Sequence, residues 1–285
     1  MFKILSCLSL CYLLVPIQVL AQQDETNPNA AQRVISLAPS STELAYSAGL
    51  GDKLLAVSEY SDYPEQAKGL ERVANYKSIN VERIVALKPD LILAWRAGNP
   101  QKPLEQLKAL GFAVYYTDSK AIEDIPRVIA ELSQYSENPE VGIQKAENFT
   151  QQLQSIKAHY QQQQPVRYFY QLSAAPIITV SDGNWPAEVF ALCGGENIFA
   201  HSSVPYPQVG LEQVVVAQPE VLFTSYHDTY DVALWKPWEN QVPAVKNQHI
   251  WTLTADWINR PTERTLLAIE QVCQYLDQVR RKRLP

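Results

Sequence analysis

The segment Val81-Glu82-Arg83-Ile84-Val85-Ala86-Leu87-Lys88-Pro89-Asp90-Leu91-Ile92 recurs in pattern, 130 positions on, as Leu211-Glu212-Gln213-Val214-Val215-Val216-Ala217-Gln218-Pro219-Glu220-Val221-Leu222. Each copy reads as a short amphipathic helix halted before a proline and followed by an apolar, β-branched run. Tyr76 and Tyr206 each lie six residues ahead of the aligned glutamate. A chain that carries one helix–strand unit twice is expected to fold as two related units.

The residues around each copy extend the same grammar. Around the first, residues 33–37 are predicted as a strand, and Ser40-Ser41-Thr42-Glu43 as a capping box opening a helix that stops near Gly49. Residues 81–87 follow as a helix, 90–95 as a buried strand, 103–110 as a helix stopped at Gly111 and 113–117 as the next strand. Around the second, 167–172, 220–225 and 249–253 are strands, while 186–192, 211–217 and 265–279 are helices. This alternation predicts an α/β fold of two homologous lobes, each a mainly parallel sheet flanked by helices.

Between the lobes, Asn138 is an N-cap before Pro139 at the first helical position, and Ile143, Ala146, Phe149, Leu153, Ile156 and Tyr160 then recur every three or four residues. About 24 residues rising 1.5 Å each span roughly 36 Å, enough to cross the backs of both lobes. The expected organisation is an N-terminal lobe over 33–135, a connecting helix over 136–164 and a C-terminal lobe over 165–281. One packed helix restricts hinge motion and leaves a cleft on the side away from it.

At 46% hydrophobic and 19% charged residues, the 285-residue chain is neither disordered nor a coiled coil. A net charge of −6 argues against nucleic-acid binding, which relies on Lys and Arg neutralising phosphates. The one basic run, Arg280-Arg281-Lys282-Arg283, reads as a solvated helix end. At the other terminus, Lys3 precedes an apolar run over 4–20 that ends in Val19-Leu20-Ala21. Residues 1–21 are therefore expected to be a secretory signal cleaved near Ala21. Pro16 breaks the run and no basic stop follows, unlike a membrane anchor. Leu8-Ser9-Leu10-Cys11 lacks the small residue that a lipoprotein box needs before its cysteine. Cys7 and Cys11 leave with the signal, so Cys193 and Cys273 remain and most simply form a disulfide, two buried free thiols being the other possibility. His159, His201, His227 and His249 lack the close spacing of zinc ligands, so no metal site is expected.

These features resemble the periplasmic binding proteins of ABC importers that carry corrinoids, haem and ferric siderophores, and among them the cobalamin (vitamin B12) carriers. The resemblance rests on Tyr60-Ser61-Asp62-Tyr63-Pro64, Glu82-Arg83-Ile84-Val85-Ala86-Leu87-Lys88-Pro89-Asp90-Leu91, Ala94-Trp95-Arg96, Cys193-Gly194-Gly195-Glu196-Asn197-Ile198-Phe199 and Asp256-Trp257-Ile258-Asn259-Arg260, and it extends over 33–279. It implies that Tyr60, Tyr76, Trp95 and Tyr206 line an interlobe pocket, with Asp256, Trp257, Ile258, Asn259 and Arg260 as the opposing polar and aromatic edge. A corrin is a broad macrocycle edged with amides, which suits flat aromatic walls and a few polar anchors. The resemblance further implies that Glu82 and Glu212, one per lobe, dock onto a dimeric inner-membrane ABC permease with its ATPase subunits. It implies a monomer in the periplasm, with cobalamin as cargo and no resident cofactor.

Each assignment has a plainer rival. Trp95, Tyr76 and Tyr206 could be core residues, and the family pattern has tryptophan at positions 76 and 206. Ile178 stands where another aromatic wall is expected; Trp185 could compensate or simply pack at a helix start. Asp256 and Arg260 could pair with each other, and a glutamate in a first helical turn is favoured by the helix dipole alone. An enzyme is the contrasting class, but the chain has no Gly-x-Ser-x-Gly elbow, and the loop Leu37-Ala38-Pro39-Ser40-Ser41 lacks the glycines of a phosphate cradle. The nearer alternative is a haem or ferric-siderophore binder on the same scaffold. Arginines for a polyanionic siderophore are sparse, whereas tyrosines that could ligate haem are not.

Overall fold

The computed structural model describes residues 27–160, 162–225 and 234–283. The N-terminal half runs β1 (Val34–Ser36), α1 (Pro39–Ser47), β2 (Leu54–Ser58), β3 (Glu71–Ala74), α2 (Val81–Leu87), β4 (Leu91–Ala94), α3 (Gln101–Ala109), β5 (Val114–Tyr116) and α4 (Asp124–Ser133). The 22-residue α5 (Pro139–Tyr160) follows. The C-terminal half runs β6 (Val166–Gln171), β7 (Ser173–Ala174), β8 (Ile177–Ile178), α6 (Ala187–Leu192), β9 (Gly195–Asn197), α7 (Leu211–Ala217), β10 (Val221–Thr224), α8 (Pro243–Lys246), β11 (Ile250–Thr252), α9 (Ala255–Ile258) and α10 (Thr265–Arg283). The proposed signal, with Cys7 and Cys11, lies outside the described residues, as does His227. Among the described residues no helix is long and apolar enough to cross a membrane.

Both main sheets are parallel, in the orders β3-β2-β1-β4-β5 and β11-β10-β6-β9. Taken from the β5 and β11 edges, β5-β4-β1-β2 matches β11-β10-β6-β9 strand for strand, so the duplication extends well beyond the twelve-residue motif. The motif's own residues explain its recurrence. Proline cannot continue either helix, and the residue before it turns left-handed, Lys88 at φ 49° and Gln218 at φ 48°. The acid after the proline then reaches across to the next strand. Asp90 accepts the N–H groups of Gln32 (2.8 Å) and Arg33 (3.0 Å) at the start of β1, and Glu220 accepts that of Arg167 (3.0 Å) at the start of β6.

The central strands are buried on both faces, as parallel strands covered by helices must be. One face of each sheet packs on its own small cluster, Ile35, Ile84, Ile92 and Leu104 in the first half and Phe169, Val214, Leu222 and Trp235 in the second. The opposite faces share a single core that passes through α5, joining Leu44 and Leu132 to Phe149 and Leu153 of α5 and on to Tyr168, Phe190 and Val272. One face of α5 therefore belongs to the core that both halves share. Gly142 permits its close approach, since a Cβ there would lie 2.5 Å from Ser133 Cβ and 3.1 Å from Ala48 Cα. Cys193, at the end of α6, and Cys273, in α10, form the expected disulfide with both residues buried.

Two local expectations are corrected. α1 starts at Pro39 on Ala38, with no side-chain cap. The Glu43 carboxylate is instead taken by Arg260, Thr262 and Arg264 of the other half, which satisfy a buried charge better than a helix-end N–H could. The basic run is only partly a solvated end. Arg280 donates to the carbonyls of Gln164 and Cys193, and Arg283 to Pro165 and the Glu220 carboxylate. These bonds stitch the end of α10 to the start of β6.

Candidate functional site

Among the described residues the large exposed aromatic side chains are Tyr60, Tyr63, Tyr76, Trp95 and Tyr206. All five stand in loops that leave the carboxyl end of a strand: Tyr60 and Tyr63 after β2, Tyr76 after β3, Trp95 after β4 and Tyr206 after β9. In parallel α/β sheets ligands bind at these ends.

The local structure holds these rings outward. Tyr60 has φ 62°, a left-handed conformation costing a β-substituted residue about 1–2 kcal/mol. A buried hydroxyl chain offsets that cost: Ser58 and Ser61 bond at 2.9 Å, and Thr42 Oγ1 lies within hydrogen-bond distance of Ser61 Oγ (3.0 Å) and Ser36 Oγ (2.9 Å), its one proton serving one of them. The Trp95 backbone N–H donates to Asn99 Oδ1 (2.7 Å), and Asn99 is itself anchored on the Leu37 carbonyl. The Trp95 indole lies so close over Gly98 that a Cβ there would sit 1.9 Å from a ring carbon. Trp95 is 44% exposed and Tyr76 71%, so neither is a core residue. Tyr206 is half-exposed and donates its hydroxyl to the Trp185 carbonyl (3.1 Å), and partial burial raises its pKa.

Trp185 is a brace. Its Nε1 donates to the Ile258 carbonyl (3.0 Å), tying the Tyr206 loop to α9. Ile178 is half-buried in β8 and bridges Gln208, so no ring stands in its place. Arg96 stacks on Tyr116 at 4.0 Å.

The predicted stretch 256–260 divides by helical phase. Ala255 and Ile258 share the inward face of α9. Ile258 is fully buried, so its side chain does not belong to a binding edge, and Trp257 is half-buried against the core. Asn259 turns back, accepting from Tyr170 Oη (2.9 Å) and donating to Ser225 Oγ (3.0 Å). Asp256 and Arg260 pair at 2.8 Å, within a larger cluster that the sequence did not reveal. Glu43, 3% exposed, accepts from Arg260 Nη1 (3.2 Å), Thr262 Oγ1 (2.9 Å) and Arg264 Nε (2.8 Å), and Arg264 Nη2 also bonds it. Arg264 lies over the Tyr63 ring at 4.1 Å. The one sequence signal for Arg264 is its spacing, four residues beyond Arg260 as Arg260 is beyond Asp256.

Glu82 and Glu212 occupy the first turns of α2 and α7, and both are exposed. Among the described residues neither has an ion-pair partner; the adjacent Arg83 pairs with Glu71 at 2.7 Å instead. No group of three or more His, Cys, Asp or Glu side chains among the described residues is placed to hold a metal ion.

Residues 34–257 match the family model described as periplasmic binding protein. The chain is 58% identical over 253 residues to the vitamin B12-binding protein of Vibrio campbellii, covering 89% of this chain and 92% of that protein. It is 51% identical over 253 residues to the vitamin B12-binding protein of Yersinia pestis, covering 88% of each. Among solved structures it is similar to the periplasmic vitamin B12 binding protein BtuF of Vibrio cholerae, with TM-score 0.83 and 57% identity over 88% of this chain and 98% of that one. It also shares the fold of the periplasmic heme-binding protein BhuT at TM-score 0.78 and 20% identity, covering 88% of this chain and 99% of that one. With more than half its length matched by the family model and relatives this similar along nearly the whole chain, the protein belongs to the periplasmic binding protein family.

Proposed function

We infer that this protein captures cobalamin between its two halves and delivers it to an inner-membrane ABC transporter. The observation that carries the reading is the set of exposed rings at the strand carboxyl ends of both halves, in a chain whose relatives at 51–58% identity are named vitamin B12-binding proteins. Tyr60, Tyr76, Trp95 and Tyr206 supply flat apolar surface for the corrin, while Asp256 accepts from its amide N–H groups and Arg260 donates to its carbonyl or phosphate oxygens. Asn259 and Trp257 support that edge from behind. Binding and release involve no covalent step, so the protein is a carrier and not an enzyme, with cobalamin as cargo.

Residues 1–21 act as the export signal, and the mature monomer works in the periplasm as two lobes, 33–135 and 165–281, on the connecting segment 136–164. Glu82 and Glu212 meet basic pockets of a two-fold permease, which is served by its ATPase subunits. Haem-binding relatives match this chain at a level that speaks for the fold alone.

The test is calorimetric titration of residues 22–285 with cyanocobalamin, haemin and a ferric siderophore in parallel. One-to-one binding of cyanocobalamin alone is expected. Silence with cyanocobalamin and heat with either of the others would overturn the ligand and keep the carrier.

A further inference from the structure

Glu43 is a buried carboxylate on α1 of the N-terminal half, and the partners its carboxylate takes, Arg260, Thr262 and Arg264, all belong to the C-terminal half. Separating the halves at this point would break all of these hydrogen bonds to the Glu43 carboxylate. The cluster is balanced: two guanidinium groups, each about 15% exposed, face the carboxylates of Glu43 and Asp256. It extends outward through Glu263, which bonds Ser47 of α1 and pairs with Lys145 of α5 at 3.4 Å. Arg264 also lies against Tyr63, in the loop that carries Tyr60. Thr42, the neighbour of Glu43, anchors the same loop through Ser61. One turn of α1 therefore grips both the aromatic loop of its own half and the arginines of the other.

We propose that Glu43 and Arg264 form a charge clamp across the two halves that positions Arg260 at the ligand edge. This rests on the cobalamin reading given above. Arg260 is held from two sides, Nη1 on Glu43 and Nη2 on Asp256. A guanidinium has five N–H groups, so those two contacts fix its plane while others remain for a ligand oxygen. Glu43 is a positioning residue: it selects ligand through Arg260, and it makes the C-terminal edge depend on the N-terminal half.

The test is a double-mutant cycle read by cyanocobalamin titration, with Glu43→Gln made in the wild-type and Arg260→Met backgrounds. Glu43→Gln is expected to weaken binding at least ten-fold in the wild type and less than two-fold when Arg260 is absent. Equal losses in both backgrounds, or no loss in the wild type, would overturn the proposal. Arg264→Lys, which keeps the charge and loses the fork, serves if Glu43→Gln does not fold; it is expected to weaken binding at least three-fold with the same dependence on Arg260. A second readout needs no ligand. Spin labels at Gln106→Cys and Asn247→Cys, on exposed positions of the two halves, should give a broader distance distribution in Glu43→Gln than in its parent. Failure of the wild type to bind cyanocobalamin would sink the ligand reading alone. The label distances then decide the clamp, a broader distribution upholding it and an unchanged one overturning it.

Discussion

At the scale of single residues, the Asp256–Arg260 pair was legible in the sequence and the partners that complete it, Glu43 and Arg264, were not. Tyr60, Tyr76, Trp95 and Tyr206 were singled out through the resemblance, and all four stand exposed beyond strand ends. Glu43 is local in sequence only to α1, where it resembles a cap residue, and its partners lie more than 200 positions away. No periodicity reports a contact of that kind. Ile258 shows the opposite limit, since a motif carried over as a block contains both faces of a helical turn and only one can meet a ligand. Trp95 is the ring most firmly set, by Asn99 and Gly98. Trp95→Ala is expected to weaken cyanocobalamin binding by about 2 kcal/mol, roughly thirty-fold, as loss of an aromatic anchor does. The melting temperature should hold, because the ring is half-exposed, and calorimetric titration beside a thermal scan separates the two effects.

At the scale of elements, the helices and central strands were readable because punctuation and period agree. Prolines stop α2 and α7, Gly111 and Gly194 turn left-handed at φ 90° and 74°, and the α5 pattern runs from Pro139 to Tyr160 as the spacing implies. β2, β3 and α4 escaped notice. β3 is an edge strand whose first two residues, Glu71 and Arg72, are exposed, so it lacks the apolar run of a central strand. The cysteine count led directly to the α6–α10 link, which closes a loop of 80 residues. In the chain-entropy model such a loop is worth about 4.5 kcal/mol. Replacing both cysteines by alanine should lower the thermal midpoint markedly while leaving cyanocobalamin affinity within two-fold, because the disulfide lies in the core behind the β6 sheet. A large loss of affinity at a temperature where the variant is folded would contradict that placement.

At the scale of the whole molecule, the two halves agree in sheet order and differ where a ligand would touch. Ser225 stands at the position aligned with Trp95 and bonds Tyr170 instead of offering a ring. The aligned glutamates, by contrast, stand on both sides, exposed and without an ion-pair partner among the described residues. Reversing the charge of Glu82 and Glu212 together should abolish cobalamin uptake by cells that depend on this protein and leave the binding isotherm unchanged. A weaker isotherm would merge the two roles that the duplicated geometry keeps apart.

α10 packs on α6 as α4 packs on α1, which leaves α5 as the one long helix without a counterpart in the other half. A single copy of the repeat could once have paired with a second copy, each complete in itself. That route is now shut. Because one face of α5 lies in the core that both halves share, a gene divided anywhere between 160 and 166 would give one product whose Phe149 and Leu153 keep α4 but lose the side chains of the other half, and another whose share of that core ends at an open edge. Fusion here works as an evolutionary ratchet: the repeats can drift apart in what they recognise, as Trp95 and Ser225 already have, because neither can leave.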